Sequence, residues 1–496
     1  MKKQQRSEAK AECASSAGRD TTWKSIDFSK CERKVRKLQV RIAKAQKEKR
    51  YNKVKALQHL LVTSFEAKAL AVRKVTSNKG KRTASVDHIK WDTDAKKMGA
   101  ISPLTRRGYR ALPLKRINIP KANGKTRPLG IPTMKDRTMQ ALYLMALEPV
   151  TESEADANSY GFRKYRSTAD AIDALHRWLS RDNSPEWILE GDIKGCFDHI
   201  SHEWLLDNVR IDRQVLRKWL KSGVVFNKLL QPTLEGTPQG GIISPTLANA
   251  TLDGMEKMLK EKYKIEYADG KTYRPKVNFV RYADDFIVTA DRKETLLEIK
   301  EMLTAFLNER GLTLSEEKTL ITHISDGFDF LGFNVRKYNG TLLIKPSKKS
   351  QKRFTDKLHE VILTRGKALS QPELIGMLNP IMRGWGNYYR HVVSKEVFCR
   401  CDNILANQLR RWSYRRHTKK TWKWIRKKYY IRDGGRKWIF GFEYVCGGIR
   451  KKLTLHKMTD IPIKRHVKIK CEANPFDPSW DEYFERRKHK SSRQRA

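Results

Sequence analysis

Two adjacent aspartates, Asp284 and Asp285, lie between two apolar runs that favour β-strands. Residues 277–280 precede the pair and residues 286–289 follow it, and both runs consist mainly of β-branched and aromatic residues. This pattern is typical of a β-hairpin that carries the two acids in its tight turn. Adjacent carboxylates repel each other, and a divalent cation would remove that repulsion. The spacing therefore predicts a metal site, which in a strongly basic chain indicates chemistry on phosphates.

A third acid, Asp192, follows the strand-like run at residues 187–189. An aspartate at a strand end beside an aspartate pair in a hairpin gives three carboxylates that can converge on two divalent ions. Hard cations prefer such oxygen ligands, and Mg²⁺ is the expected one. Two such ions can activate an attacking hydroxyl and stabilise the leaving oxygens of an in-line displacement. Taken alone, either acidic segment is also compatible with an ordinary loop or a surface pair.

A second Tyr-Ala-Asp sequence, at residues 267–269, tests this interpretation. Its flanks are highly charged and offer no run that would form a buried strand. We therefore expect this copy to be a solvent-exposed excursion without a role in metal binding.

The composition restricts the partners of the chain. It has 496 residues, 103 Lys and Arg against 55 Asp and Glu, and a net charge of +48. Such an excess needs an anionic partner, and nucleic acid is the usual one. No apolar run of about 18 residues could span a membrane, and the N-terminus leads into no signal-peptide core. We expect no membrane partner, a cytoplasmic location and, from seven scattered cysteines, neither disulfides nor zinc.

The positive charge is concentrated at the two ends of the chain. Residues 1–100 carry a net charge of +17 and residues 341–496 carry +26, whereas the residues between them carry only +5. This distribution predicts an enzymatic centre between two flanks that grip nucleic acid. The alternative is that the basic flanks are only solvated surface.

The remaining patterns predict the elements that position the acids. Apolar residues at three- and four-residue spacing over 29–75 predict a basic amphipathic helical arm, broken at residues 77–80. Residues 117–132 predict a hairpin bearing Lys121, Lys125 and Arg127. Further helices are predicted over 136–150, 200–222, 244–262 and 293–310, a strand hairpin over 328–344, and a mostly helical region beyond 350 with an apolar stripe of Leu374, Met377, Leu378 and Ile381.

Residues 411–430 combine nine Lys and Arg with six aromatic residues and no acid. Interleaved cations and rings suit a polyanion with stackable bases. Packing of an individual ring in a helical core is an equally good interpretation.

Several motifs, in order along the chain, resemble those of one family. Residues 282–285 resemble the Tyr-x-Asp-Asp signature of reverse transcriptases, and residues 236–245 resemble the Thr-Pro-Gln-Gly motif of the bacterial retroelement branch. Residues 383–389 are similar to the thumb, or maturase, domain of group II intron-encoded proteins. Matches to the fingers motifs (119–132 and 159–163) and to the end of the DNA-binding region (474–480) extend the resemblance over about residues 23 to 487.

The resemblance implies an α+β fold, a right-hand polymerase with fingers, a palm with an antiparallel sheet and a Tyr-Ala-Asp-Asp hairpin, and a helical thumb, flanked by basic nucleic-acid-binding segments. The implied domains are a disordered tail (1–22), a basic helical N-terminal extension (23–80), fingers and palm (81–345), the thumb or maturase domain (346–432) and a DNA-binding region (433–496).

The resemblance also implies roles for individual residues. Asp192, Asp284 and Asp285 would bind two Mg²⁺ ions, with the Ile193 carbonyl as a further ligand, for attack of a primer 3′-hydroxyl on a dNTP. The implied nucleotide pocket comprises Lys121 and Arg127 on the triphosphate, Phe197 as the gate against a 2′-hydroxyl, and Gln239, with Lys318 near the leaving pyrophosphate. The implied primer grip is Phe330, Leu331 and Gly332, and the implied nucleic-acid contacts are Arg411, Arg415, Arg416, Lys419, Lys420 and Trp422.

The expected function is that of an RNA-directed DNA polymerase, a nucleotidyltransferase, encoded by a group II intron. As a maturase it would bind the intron RNA to aid splicing, and it would copy that RNA into target DNA from an RNA template with a DNA primer. Two departures from the family stand out. Residues 85–88 lack the usual glycines, and residues 433–496 contain neither a His-Asn-His motif nor cysteine pairs, so we expect no second-strand DNA cleavage by the protein itself. The alternatives are a domesticated reverse transcriptase with a host or defence role, and a splicing factor that does not polymerise.

Overall fold

The computed structural model describes residues 22–120, 124, 126–226, 229–237, 240–268 and 271–493. Its helices and mostly antiparallel sheets confirm the predicted α+β class. Within these ranges, no helix is both long and apolar enough to cross a membrane.

The N-terminal extension consists of three helices, α1 (Phe28–Lys47), α2 (Tyr51–Thr63) and α3 (Phe65–Ser77). The chain turns between α1 and α2 at Lys49, which has a φ of 55°, and Ser64 caps α3 through the amide of Ala67. The apolar sides of the helices pack on the long helix α5 (Met134–Glu154). The predicted arm is therefore helical, but it is folded back into a layer instead of extending from the protein.

The fingers carry a four-stranded sheet in the order β2-β1-β4-β5. Its strands are β1 (Leu114–Pro120), β2 (Thr126–Ile131), β4 (Val224–Phe226) and β5 (Leu229–Gln231), and the short helix α4 (Asp94–Gly99) precedes them. The predicted hairpin is confirmed, because β1 pairs antiparallel with β2 from Lys115–Ile131 to Pro120–Thr126. Lys121 and Lys125, in the hairpin connection, lie outside the described residues.

The palm sheet has the order β10-β3-β9-β8. Its strands are β3 (Trp187–Asp192), β8 (Asn278–Tyr282), β9 (Asp285–Ala290) and β10 (Leu320–His323). All three pairings are antiparallel. Helices α6 (Thr168–Leu179) and α12 (Lys293–Asn308) pack against strands of this sheet. The acid-bearing ends of the two central strands, β3 and β9, therefore lie side by side at the same end of the sheet.

Short helices connect the strands of the palm. They are α7 (Cys196–His199), α8 (His202–Asn208), α9 (Arg213–Leu220), α10 (Ser244–Leu252) and α11 (Met255–Lys262). The helices predicted over 200–222 and 244–262 are therefore each divided in two, the second at Gly254, whose φ of 106° favours glycine. Tyr267 and Ala268 of the second Tyr-Ala-Asp copy lie on a separate pair of strands, β6 (Glu266–Ala268) and β7 (Lys271–Tyr273), and Asp269 lies outside the described residues. Tyr267 is 77% exposed there, as predicted.

The thumb follows a three-stranded sheet of β11 (Phe328–Phe330), β12 (Phe333–Tyr338) and β13 (Thr341–Pro346). Its helices are α13 (Lys348–His359), α14 (Gln371–Tyr389), α15 (Lys395–Arg416) and α16 (Trp422–Tyr429). The predicted stripe on α14 is partly wrong, because Met377 is 36% exposed. The buried face instead contains Leu374, Ile375, Leu378 and Met382, since α14 packs on both the turn at residues 360–364 and the following sheet.

The last part of the chain forms the sheet β14 (Tyr430–Asp433), β15 (Arg436–Cys446) and β16 (Ile449–Thr454), then an irregular segment and helix α17 (Asp481–Arg493). This irregular segment returns to the N-terminal helices and the palm. Arg36 on α1 donates to the Pro475 carbonyl, and Lys47 pairs with Asp477 at 2.6 Å.

A buried carboxylate, Asp170, joins this segment to the palm. Asp170 is fully buried at the start of α6 and accepts hydrogen bonds from the amide and hydroxyl of Ser167. It also accepts from His466 Nε2 at 2.9 Å, the Ile469 amide at 2.8 Å and Arg487 Nη2 at 3.1 Å. Asp170 is therefore a central attachment of the C-terminal segment to the palm, beside Arg166, which donates to the Cys471 carbonyl at 3.1 Å.

Replacing Asp170 with Asn should destabilise the protein, because it leaves His466 and Arg487 facing a neutral group in a buried site. Breaking a buried charge pair costs about 3–5 kcal/mol, and we expect a loss near the lower end in urea denaturation. The matched control is Asp173→Asn, one turn along the same helix, where Asp173 forms only an i,i+4 pair with the exposed Arg177. That change should cost no more than about 0.5 kcal/mol; equal losses for the two variants would contradict the attachment.

Candidate active site

The hairpin of β8 and β9 places the two aspartates at its tip. Tyr282 pairs with Asp285, so Ala283 and Asp284 form the two-residue turn, and Ala283 has a φ of 60°. The sequence analysis placed both aspartates in the turn. Asp285 is instead the first residue of β9. The turn presents Asp284, and the strand register presents Asp285 beside it.

Asp192 lies directly opposite Asp285 in the pairing of β3 with β9. The preceding pair is Gly191 with Phe286, and a Cβ atom at position 191 would lie 2.1 Å from the Phe286 ring. A side chain at Gly191 would therefore displace Phe286. The close approach of β3 to β9 that brings Asp192 to Asp285 depends on this glycine.

The three carboxylates perturb one another. Burial, together with the charges of Asp284 and Asp192, raises the pKa of Asp285 to about 7. Burial also raises the pKa of Asp284, whereas the charges of Arg127 and Lys318 lower it. The fold therefore holds these carboxylates close together and partly shielded from water. Without a cation, their negative charges disfavour this arrangement.

Lys318 supplies part of the compensating charge. It lies in a 3₁₀ turn before β10, and its Nζ is 2.7 Å from Asp192 Oδ2. This hydrogen bond raises the pKa of Lys318. Across the ranges given above, no group of three His, Cys, Asp or Glu side chains already has the spacing of a metal site. The carboxyl oxygens are nevertheless the donor type that Mg²⁺ prefers, and the raised pKa of Asp285 fits a site that gains from a divalent cation.

A fully buried arginine, which the sequence analysis missed, supports the hairpin from below. Arg281 is 0% exposed and donates to Asn249 Oδ1 at 3.1 Å and to the Ala283 carbonyl at 3.3 Å. It also forms an ion pair with the buried Asp253. The signal was present in the sequence, since a charged residue interrupts an otherwise apolar strand before the acids, and a buried charge requires partners.

The predicted fingers motif at residues 159–163 contacts the same hairpin through its backbone. The Tyr160 amide donates to the Arg281 carbonyl at 2.9 Å, and the Arg281 amide donates to the Asn158 carbonyl at 3.0 Å. A Cβ atom at Gly161 would lie 2.3 Å from the Ala283 nitrogen. Glycine is therefore required at position 161 for the motif to pack against the turn.

Phe197 lies on α7, five residues after Asp192, and is half-buried. Its ring meets that of Phe162 edge-on at 6.3 Å, and its carbonyl accepts a hydrogen bond from the Thr237 amide at 2.6 Å. A Cβ atom at Gly236 would lie 2.5 Å from the Asp198 carbonyl oxygen. Gly236 and Thr237, at the start of the predicted Thr-Pro-Gln-Gly motif, are thus held against α7. Gln239 itself lies outside the described residues.

Two further predicted site residues stand near the acids. Arg127, the second residue of β2, is exposed and acts electrostatically on Asp284. Ile193 is buried and forms a single β-bridge with Leu314, so its backbone follows Asp192 in a fixed position.

The predicted primer grip is a tight turn that the thumb motif contacts. Leu331 and Gly332 connect β11 to β12 with φ values of 53° and 82°, after the buried Phe330. Tyr388 donates to the Leu331 carbonyl at 2.9 Å, and Tyr389 donates to the Gly332 carbonyl at 3.1 Å. The two tyrosines of α14 therefore link the thumb to this turn.

The rings in residues 411–430 pack mainly against one another. Trp422 stacks on Tyr414 at 6.0 Å, under the guanidinium of Arg410 at 5.2 Å. Arg416 lies over the buried Trp412 and donates to the carbonyls of residues 367 and 369. Trp422 and Arg416 thus have packing partners within the thumb. Among the predicted contacts, Arg411, Arg415, Lys419 and Lys420 are exposed.

Three known families match successive parts of the chain. Residues 23–104 match the N-terminal domain of reverse transcriptase, residues 119–335 match reverse transcriptase (RNA-dependent DNA polymerase), and residues 351–430 match the group II intron, maturase-specific domain.

Individual proteins show the same similarity. Protein YkfC of Escherichia coli (strain K12) is 34% identical over 309 residues, which are 55% of this chain and 81% of YkfC. Group II intron-encoded protein LtrA of Lactococcus lactis subsp. cremoris is 31% identical over 411 residues, covering 64% of this chain and 68% of LtrA. Telomerase from Candida albicans, solved with a fragment of telomeric RNA, aligns with a TM-score of 0.37 and 14% identity over 61% of this chain and 55% of the telomerase chain. The chain belongs to the group II intron-encoded proteins, and it is an RNA-directed DNA polymerase with a maturase domain.

Proposed function

We propose that Asp192, Asp284 and Asp285 hold two Mg²⁺ ions that serve DNA synthesis. The observation that carries this proposal is the strand register, which sets Asp192 opposite Asp285 and places Asp284 on the adjoining turn. When bound, the ions would lower the pKa of the primer 3′-hydroxyl and stabilise the leaving oxygens. The Ile193 carbonyl, which follows Asp192 in the chain, is our candidate for a further ligand.

The residues around the acids define the proposed nucleotide pocket. Arg127 has a planar, permanently charged guanidinium that suits bidentate binding of a triphosphate. Lys318 forms an ion pair with Asp192. In the proposed reaction it contacts the leaving pyrophosphate. Lys121 and Gln239 stay predictions for the same pocket.

Phe197 is proposed as the gate that excludes a ribose 2′-hydroxyl. Two contacts support this role: its carbonyl is fixed by Thr237, and its ring is bordered by Phe162. With a nucleotide bound above it, a ring held in one position would leave room for a hydrogen but not for a hydroxyl on the sugar.

The proposed substrates are an RNA template with a DNA primer, and the proposed macromolecular partners are intron RNA and target DNA. Support comes from the charge of the flanks, from the maturase domain and from the exposed cations Arg411, Arg415, Lys419 and Lys420. We infer retrohoming, in which the intron RNA is copied into DNA at the target site. The proposed units are 23–80, 81–345, 346–432 and 433–496, although contacts through Asp170 attach the last of them to the palm.

The metal proposal predicts that Asp284→Asn abolishes primer extension on an RNA template. The variant should keep most of its binding to intron RNA, because Asp284 lies on the half-buried tip of the hairpin and is not one of the proposed RNA contacts. The matched control is Asp326→Asn, which changes an exposed aspartate in the turn before β11 and should extend primers normally. Full activity in the Asp284 variant would refute the metal assignment, and testing splicing with the same variant separates maturase function from polymerisation.

The gate proposal predicts that Phe197→Ala raises incorporation of rNTPs relative to dNTPs. The measurement is the ratio of kcat/KM for the two substrates in single-nucleotide extension. Phe162→Ala is the comparison, since it removes the edge-on neighbour that borders the ring but keeps the Phe197 ring itself; it should raise the ratio less than Phe197→Ala does. An unchanged ratio in the Phe197 variant would exclude the gate.

A further inference from the structure

A large cavity, which we call the α2 cavity, lies between α2, α5 and the turn at residues 210–214. Its volume is about 770 Å³, and a second cavity of about 560 Å³ adjoins it and shares five of its lining residues. The proposed catalytic residues line neither cavity. The space is large enough for one or two nucleobases and is separate from the polymerase site.

The walls of the α2 cavity are apolar and its opening is basic. Val54, Val62, Ala146 and Ile211 contribute aliphatic surface. The charged lining residues are four cations, Lys55, Arg106, Arg210 and Arg213, against the single acid Asp212. An apolar interior with a cationic opening complements a ligand that has a flat, uncharged part attached to an anionic one.

An aromatic side chain forms part of the inner wall of the cavity. Tyr143 lines both cavities and is only 4% exposed, so its ring adds flat surface to the aliphatic walls. At the opening, the Arg210 guanidinium lies 4.2 Å from the centre of the Tyr51 ring and extends the stackable surface.

We propose that the α2 cavity binds an unpaired nucleotide of RNA, with the base against the apolar walls and Tyr143 and the phosphates at the basic opening. Unpaired bases in RNA loops are commonly held by stacking on aromatic and arginine side chains, with hydrogen bonds to the base edges. Lys55 is the cation best placed for a phosphate, because it has no ion pair among the residues described, whereas Arg106 pairs with Asp212. The site rests on the maturase's binding of RNA and is independent of the proposed metal site.

The test uses a short single-stranded RNA oligomer containing thiouridine, cross-linked by light to the full-length protein and mapped by mass spectrometry. In the wild-type protein, cross-links should fall on residues that line the α2 cavity. Ala56→Trp should lower their yield about tenfold, the loss expected for one stacked base. Ala56 is an exposed position that lines the cavity, so the bulky ring fills the space without entering the core.

Three controls make the result decisive. Leu60→Trp places the same ring on the same helix at a position that is 51% exposed and outside the lining, so the yield should be unchanged. Neutralising Arg415 and Lys419 should flatten the salt dependence of overall RNA affinity while sparing these cross-links. Asn52→Trp, a second exposed lining position, should repeat the Ala56 result if that variant is unstable. Primer extension should be intact in the Ala56, Asn52 and Leu60 variants. Cross-links that avoid the lining residues, or that persist when Ala56 or Asn52 is replaced, would overturn the proposal.

Discussion

Repulsion among three carboxylates is the constraint on which the rest of the palm depends. Asp192, Asp284 and Asp285 meet at one end of the palm sheet. Burial together with mutual repulsion raises the pKa of Asp285 to about 7. Such an arrangement costs stability in the free protein, and the surrounding structure must enforce it. The enforcement comes from backbone pairing, since the β3–β9 and β8–β9 registers determine where each acid lies.

A second layer of buried charge holds that backbone in place. Arg281 pairs with Asp253 beneath the hairpin, and burial together with the charge of Asp253 raises the pKa of the neighbouring Asp156 to about 7. Removing one partner of a buried ion pair typically costs about 3–5 kcal/mol of folding stability. The network therefore makes the hairpin intolerant of substitutions at these residues. The C-terminal segment reaches the same region, because Lys468 Nζ lies 3.3 Å from the Tyr160 hydroxyl and the Tyr160 amide bonds the Arg281 carbonyl. Regions far apart in sequence therefore converge on the support of one turn.

The sequence was sufficient for the parts of this site that have strong local signals. Apolar, β-prone runs on both sides of the adjacent acids predicted the hairpin, and a strand before Asp192 predicted its meeting with the pair. The turn was misplaced by one residue, since Ala283 adopts a left-handed conformation that is uncommon for alanine and only the strand register reveals it. Arg281 was missed because a single charge in a strand does not disclose its partners, which come from α10 and the turn after it.

In the thumb, the sequence could not distinguish nucleic-acid contacts from internal packing. Rings and cations alternate in residues 411–430 whether they bind RNA or pack together. In the fold Trp422 and Arg416 have packing partners, and their binding of RNA stays a prediction. The stripe on α14 was likewise misjudged at Met377, because two packing partners select a different helix face from the one that spacing alone favours. The α2 cavity had no signal in the sequence, since its walls come from three separate segments.

Direct measurement of cation binding tests the central claim. Titration of the full-length protein with Mn²⁺ in the presence of a template–primer and a non-hydrolysable dNTP, followed by electron paramagnetic resonance, counts the bound ions. The account predicts two ions for the wild-type protein and fewer for Asp285→Asn, with RNA binding unchanged. Equal numbers of bound ions in the two proteins would contradict it.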